Sequence, residues 1–226
     1  MPFDAIIFDM DGVIVDSEPH HEKSFREIFQ EMGYGETHGI DFPHYYGRSD
    51  RALWIDFIAK HNPTQSLEEL CAWKERHFIK LIKREQPIFE PLPKLVCALA
   101  RKYKLAVASG SFHPVIDAIL EMENLRQFFP VVVSAQDVKH GKPAPDIFLR
   151  AAELLKVTPE RCFVIEDSAA GVAAGKAAGM TVIAITNSLP PEKLQHADYV
   201  VSDYSAIEKI LLPEARAKPI LPKATI

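Results

Sequence analysis

Cysteine is scarce: Cys71, Cys97 and Cys162 are the three in 226 residues, odd in number and far apart. That excludes a disulfide framework and a CxxC metal site, and it suits reduced thiols acting as small core hydrophobes in a cytoplasmic protein. No apolar stretch approaches the roughly 18–20 residues of a membrane span. Positive charge is not in excess, with 26 Lys and Arg against 31 Asp and Glu and a net charge of −5. Neither nucleic acid nor an anionic membrane has an electrostatic claim on such a chain. The opening Met1-Pro2-Phe3-Asp4 has no basic region and no small-residue cleavage site, so a signal peptide is not expected. Repeats and low-complexity tracts are absent as well. What is present is ordinary globular composition, 47% hydrophobic and 25% charged, in a chain long enough for one large domain or a core with a smaller companion. A monomer is expected.

Short apolar runs recur at 5–8, 105–108, 131–133, 162–165, 182–185 and 199–201. They are continuous and rich in β-branched residues, the pattern of strands buried on both faces. Helical spacing separates them at 92–103, 114–122, 146–155 and 169–178. Alternation of this kind predicts a doubly wound parallel α/β sheet. One connection is too long. About 95 residues lie between the first two strands, where a crossover needs roughly a dozen. The excess, 17–86, reads as all helix at 22–32, 51–61 and 67–84, with hinges near Asp16-Ser17 and Gln86-Pro87-Ile88. It is expected to form a cap domain over the strand ends of a core domain made of 1–16 and 87–226.

The strand ends carry the chemistry. The run Phe8-Asp9-Met10-Asp11-Gly12-Val13-Ile14-Val15-Asp16-Ser17 presents two carboxylates where the first strand stops, and Gly12 lets the chain turn away. Like charges at the mouth of an apolar strand call for a cation. Ser109-Gly110-Ser111 after the second strand offers a hydroxyl and backbone N–H groups to phosphate oxygens. Lys142, in Gly141-Lys142-Pro143-Ala144-Pro145-Asp146, could neutralise both a phosphate and Asp9. Glu166-Asp167-Ser168 follows the fourth strand. Glu166 and Asp167 are hard oxygen ligands that would complete a Mg²⁺ site with Asp9 and the Asp11 carbonyl, and Ser168 is a natural helix N-cap. The stretch Gly171-Val172-Ala173-Ala174-Gly175-Lys176-Ala177 is one residue short of a P-loop and lacks the Ser or Thr after Lys, so it is read as helix.

In this order, the DxDGV–D-S, strand-end Ser, KPAPD and EDSxxG motifs resemble the haloacid dehalogenase superfamily, in particular its β-phosphoglucomutase-like and sugar-phosphatase branch. The resemblance spans essentially the whole chain and implies a Rossmann-like core with an inserted all-helical cap. It makes Asp9 the nucleophile that forms an aspartyl-phosphate, and Asp11 the acid for the leaving alcohol and then the base for water. Ser109 and Lys142 would hold the phosphoryl group, with Gly110 beside it. Asp9, Asp11, Glu166 and Asp167 would position Mg²⁺. In the cap, His21, Arg48 and Lys74 are the candidate substrate contacts, Arg48 lying in the polar loop Tyr46-Gly47-Arg48-Ser49-Asp50-Arg51. His20 and the remaining histidines have no metal-ligand spacing.

The activity implied is Mg²⁺-dependent hydrolysis of a small phosphorylated metabolite, a sugar or polyol phosphate. The alternative is a β-phosphoglucomutase-like sugar phosphomutase. Against it, Asp50 stands where the mutase has an arginine for the far phosphate, with Arg48 and Arg51 nearby. A receiver-type phospho-switch leaves the cap and Asp11 without a purpose. Dehalogenation needs no metal and leaves Asp11, Glu166 and Asp167 unexplained.

Overall fold

The computed structural model describes residues 3–45 and 50–213. Six strands form one sheet in the order β3-β2-β1-β4-β5-β6, and every pairing is parallel. The strands are β1 (Ala5–Phe8), β2 (Lys104–Ser109), β3 (Val131–Ser134), β4 (Cys162–Glu166), β5 (Thr181–Ile185) and β6 (Tyr199–Val201). Each of the six apolar runs is therefore a strand. Strand order reverses beside β1, so the carboxyl ends of β1 and β4 form the crevice where ligands settle in such sheets. The register places the end of β1 level with β4, Phe8 opposite Ile165.

Alternate residues of the strands feed two separate cores. Ile6, Phe8, Val107, Ile165 and Ile183 pack on one face with α4 (Leu92–Leu99), α5 (His113–Leu120) and α8 (Tyr204–Leu211). Ala5, Ile7, Ala106, Val164 and Val182 pack on the other with α6 (Asp146–Leu155) and α7 (Ala169–Ala177). Burial on both faces explains the unbroken apolar runs. The run at 199–201 departs from that expectation: Tyr199 is 45% and Val200 38% exposed. Among the described residues β6 is the edge of the sheet, with no strand beyond it. Helix α8 follows the last strand and had no counterpart among the expected helices.

The long connection holds α1 (Glu18–Glu31), α2 (Asp50–His61), α3 (Leu67–Glu85) and two short 3-10 turns at 35–38 and 42–45. These gather a third core of Phe25, Ile28, Phe29, Phe42, Leu53, Trp54, Phe57 and Leu70. Helix α3 opens on a capping box between Ser66 and Glu69, which satisfies orphan N–H groups at its start. Its far half leaves this cluster: Phe78 and Ile82 pack into the same core as β1 and β2. The helical insert is thus seated on the sheet domain through α3. Its root is a pair of extended strands, joined by the bridge between Val15 and Ile88 and the bond from Asp16 N–H to the Pro87 carbonyl, 2.9 Å. The expected hinges coincide with these two strands. Arg48 and the tail beyond Pro213 lie outside the described residues.

Phe29 is fully buried and its ring meets those of Phe25, Phe42, Trp54 and Phe57. Truncating such a side chain leaves a cavity that rigid neighbours cannot fill. Phe29→Ala is expected to destabilise the helical insert by about 3–5 kcal/mol, read as a shift in the urea midpoint of tryptophan fluorescence from Trp54 and Trp73. An unchanged midpoint contradicts the packing described.

Candidate active site

Asp9 follows β1 directly, its N–H bonded to the Ile165 carbonyl at 2.9 Å, so the sheet ladder itself delivers the carboxylate to the crevice. Lys142 reaches it from the loop after β3, with Nζ 2.7 Å from Asp9 Oδ1 and 2.7 Å from Glu166 Oε1. Asp9, Glu166 and Asp167 are all buried and each offers an oxygen within 4.8 Å of the others. Burial drives the Asp9 pKa well above the ordinary carboxylate value; Lys142 opposes this, while Glu166, Asp167 and Asp11 add to it. Asp167 is pushed up to about 7, first by burial and then by Glu166. Burial works against the charge on Lys142, but Asp9 and Glu166 outweigh it and hold the ammonium firmly protonated. Three buried carboxylates against one lysine leave a deficit of positive charge, and an all-oxygen donor set suits a hard divalent cation.

Asp167 and Glu166 occupy their places because glycines make room. Gly12 has φ of +70°, and a Cβ there would collide with the Asp167 carboxylate and Ser188. A Cβ on Gly171 would strike the Glu166 carboxylate in the same way. Glu166 Oε2 accepts the N–H groups of Asp167 and Ser168 and the Ser168 hydroxyl at 2.8–2.9 Å. The hydroxyl oxygen of Ser168 in turn accepts the Gly171 N–H as the N-cap of α7. The would-be P-loop is this helix.

Asp11 points elsewhere. Ser17 Oγ donates to its Oδ1 at 2.6 Å, Ser111 Oγ donates to its Oδ2 at 3.2 Å, and His21 Nε2 lies 3.9 Å from Oδ1. Burial alone would raise its pKa, but the bonds and charge from His21, Ser17 and Ser111 prevail and lower it to about 2. Its side chain is not among the grouped carboxylates. The two aspartates occupy opposite electrostatic settings, Asp9 among carboxylates and Asp11 among donors.

Ser109, at the end of β2, is buried and accepts the Ser111 N–H at 3.0 Å, which leaves its proton to donate. Gly110 is exposed and no atom lies near the place a Cβ would take. From α1, His21 stacks on Phe78 at 4.1 Å and accepts from the Lys74 ammonium at Nδ1. Its Nε2 faces Asp11 Oδ1 at 3.9 Å. Lys74 is 2% exposed and pairs with Asp50 at 2.6 Å. The two cap residues expected near substrate, His21 and Lys74, thus meet each other, and His21 also faces Asp11.

Ser17, Ser111 and Ser188 were not singled out from sequence, and Asp50 was weighed there only as the residue standing where the mutase has an arginine. Ser17 and Ser111 each lay inside a quoted motif; nothing in the local sequence marks Ser188, whose hydroxyl donates to Asp167, or its neighbour Asn187, which donates to the Gly12 carbonyl at 2.7 Å.

The chain is similar to several known proteins. Fructose-1-phosphate phosphatase YqaB of Escherichia coli K12 is 34% identical over 181 residues, covering 79% of this chain and 94% of its own length. Hexitol phosphatase B of the same organism is 29% identical over 220 residues, 96% of each chain. The solved structure of β-phosphoglucomutase from Clostridium difficile superposes with a TM-score of 0.73 at 26% identity, covering 92% of this chain and 97% of its own. Residues 3–179 match the family described as haloacid dehalogenase-like hydrolase, which contains the β1 carboxylates, the helical insert, Lys142 and the Glu166-Asp167 pair. The chain belongs to the haloacid dehalogenase-like hydrolase family.

Proposed function

We propose that this protein is a Mg²⁺-dependent phosphatase that hydrolyses a small phosphorylated metabolite, a sugar or polyol phosphate, through an aspartyl-phosphate on Asp9. The observation that carries this conclusion is the division of labour between the two aspartates. Asp9 shares Lys142 with Glu166 at 2.7 Å, while Asp11 is held apart by Ser17, Ser111 and His21. Relatives named for sugar and hexitol phosphates support the substrate class. The division into a core of 1–16 and 87–226 and a cap of 17–86 follows the paired strands at the hinge. The scattered free cysteines fit the cytoplasm.

In the first step an Asp9 oxygen forms a bond to phosphorus while the bond from phosphorus to the substrate alcohol breaks. Asp11, having taken up a proton, gives it to that alcohol oxygen. Ser109 donates to a phosphoryl oxygen, and Lys142 balances charge on Asp9 and the phosphoryl group. In the second step Asp11 removes a proton from water, the water oxygen bonds to phosphorus, and the Asp9–phosphorus bond breaks to release inorganic phosphate. Asp9, Asp167, Glu166 and the Asp11 carbonyl would hold Mg²⁺, which when bound neutralises phosphoryl charge and the carboxylate cluster. The low pKa of Asp11 keeps it ionised before substrate enters, so its uptake of a proton belongs to the closed, occupied site.

Asp9→Asn is expected to remove at least roughly a thousandfold of phosphatase activity with an unchanged circular dichroism spectrum. Near-normal turnover overturns the nucleophile assignment. A panel of phosphorylated metabolites assayed with Mg²⁺, and again with EDTA, is expected to release inorganic phosphate only with the metal. β-Glucose 1-phosphate converted to glucose 6-phosphate without phosphate release favours the mutase instead.

The titration of Asp167 gives a third test. Its folded pKa of about 7 lies above the model-peptide 3.8, so folding favours the protonated form. The associated stability is complete below about pH 4 and is lost as pH rises toward 7. The metal-free protein should lose thermal stability across that window, and Mg²⁺ should restore it more at pH 8 than at pH 5. Equal Mg²⁺-induced shifts in Tm at the two pH values count against a metal at this cluster.

A further inference from the structure

The end of the site facing the helical insert carries an ion pair that the reaction on Asp9 does not need. Asp50, the first residue of α2, places Oδ2 2.6 Å from Lys74 Nζ and Oδ1 3.9 Å from His21 Nδ1. Its side chain is 40% exposed, whereas that of Lys74 is 2% exposed. The lysine is sunk between two rings, 5.2 Å from the centre of Phe25 and 4.6 Å from that of Phe78. The carboxylate is therefore the partner of this pair that is open to solvent, and the ammonium is not. The same His21 ring separates Asp50 from Asp11, so Asp50 lies one imidazole away from the group that serves the leaving alcohol.

Count the charges a second phosphate would meet there. Among the described residues, Lys142 is spent on Asp9 and Glu166 and Lys74 on Asp50. Arg51 is exposed and turned to Glu68 at 3.1 Å. A phosphate dianion at this end would face the open Asp50 oxygen with no free cation among the described residues, and like charges in a partly desolvated cleft repel. A hydroxyl group fits well, because a carboxylate oxygen is a strong acceptor for an O–H donor.

We infer that Asp50 is a specificity-determining residue that accepts hydroxyl groups at the non-reacting end of a monophosphorylated sugar or polyol and turns away a second phosphate. This deepens the phosphatase reading above and rests on it. Asp50 holds the substrate's neutral end through Oδ1, while Oδ2 keeps the Lys74 charge cancelled. Neutralising Asp50 does two things at once: it removes the hydroxyl acceptor and it releases the charge of Lys74 toward the cleft.

The test compares matched substrates that differ by one phosphate, fructose 1-phosphate with fructose 1,6-bisphosphate and glucose 1-phosphate with glucose 1,6-bisphosphate. Phosphate release is followed with Mg²⁺, and acetyl phosphate serves as a substrate too small to reach Asp50. The native enzyme is expected to favour a monophosphate at least tenfold in kcat/KM. In Asp50→Asn that ratio should fall at least tenfold, through a higher KM for the monophosphate and a lower one for the bisphosphate, and Asp50→Glu should restore it. A merely structural role lowers both members of a pair alike and leaves the ratio unchanged. An unchanged ratio, a native preference for the bisphosphate, or turnover of acetyl phosphate with neither member of a pair overturns the inference and leaves the phosphatase standing. No hydrolysis of any of them, acetyl phosphate included, defeats the phosphatase reading and takes the inference with it.

Discussion

The lysine bridge between Asp9 and Glu166 is the interaction on which the rest of the site depends. Three carboxylates buried at one crevice repel each other, and removing them from water costs several kcal/mol per ion unless a cation is supplied. Lys142 supplies one charge at 2.7 Å from each of two of them. The remaining deficit suits the cluster to a hard divalent ion, whose charge would also offset that of a phosphoryl group. A site built to be short of positive charge binds what restores the balance.

The sheet makes this congestion geometrically possible. Parallel strands end at one edge, and the reversal of strand order beside β1 opens the gap into which Asp9 and Glu166 project. Two glycines then allow approaches that any Cβ would block, Gly12 toward Asp167 and Gly171 toward Glu166. Bonds from the loop after β5 close the arrangement, Ser188 to Asp167 and Asn187 to the Gly12 carbonyl. Each of the carboxylates is thus oriented by backbone that the strands hold rigid.

The helical insert reaches the candidate site. Ser17 and His21, both at its root, hold the carboxylate of Asp11, and His21 is aligned by Lys74 and Phe78 from α3. A change in the position of α1 and α3 over the crevice would therefore alter the donors around Asp11.

Much of the fold was legible because its signals are local. A strand buried on both faces must be apolar throughout, and Ala5–Phe8 and Cys162–Ile165 are. A connection of about 95 residues cannot be a simple crossover, which exposed the insert. The candidate residues Asp9, Asp11, Ser109, Lys142, Glu166 and Asp167 could be named from their position after a strand, because strand ends converge in any sheet of this type, and the structure brings Asp9, Lys142, Glu166 and Asp167 together. Partnerships across the chain were not, since Ser188 with Asp167 spans 21 residues and Lys74 with His21 spans 53. Nor does sequence show that β6 is an edge, because burial depends on which strand lies alongside. By itself the sequence determined the elements, their alternation and the set of charged groups delivered to one sheet edge, through periodicity and turn chemistry. The tertiary structure decided which carboxylate is starved of donors and which is surrounded by them, because the free energy of a charge depends on neighbours that only folding brings near.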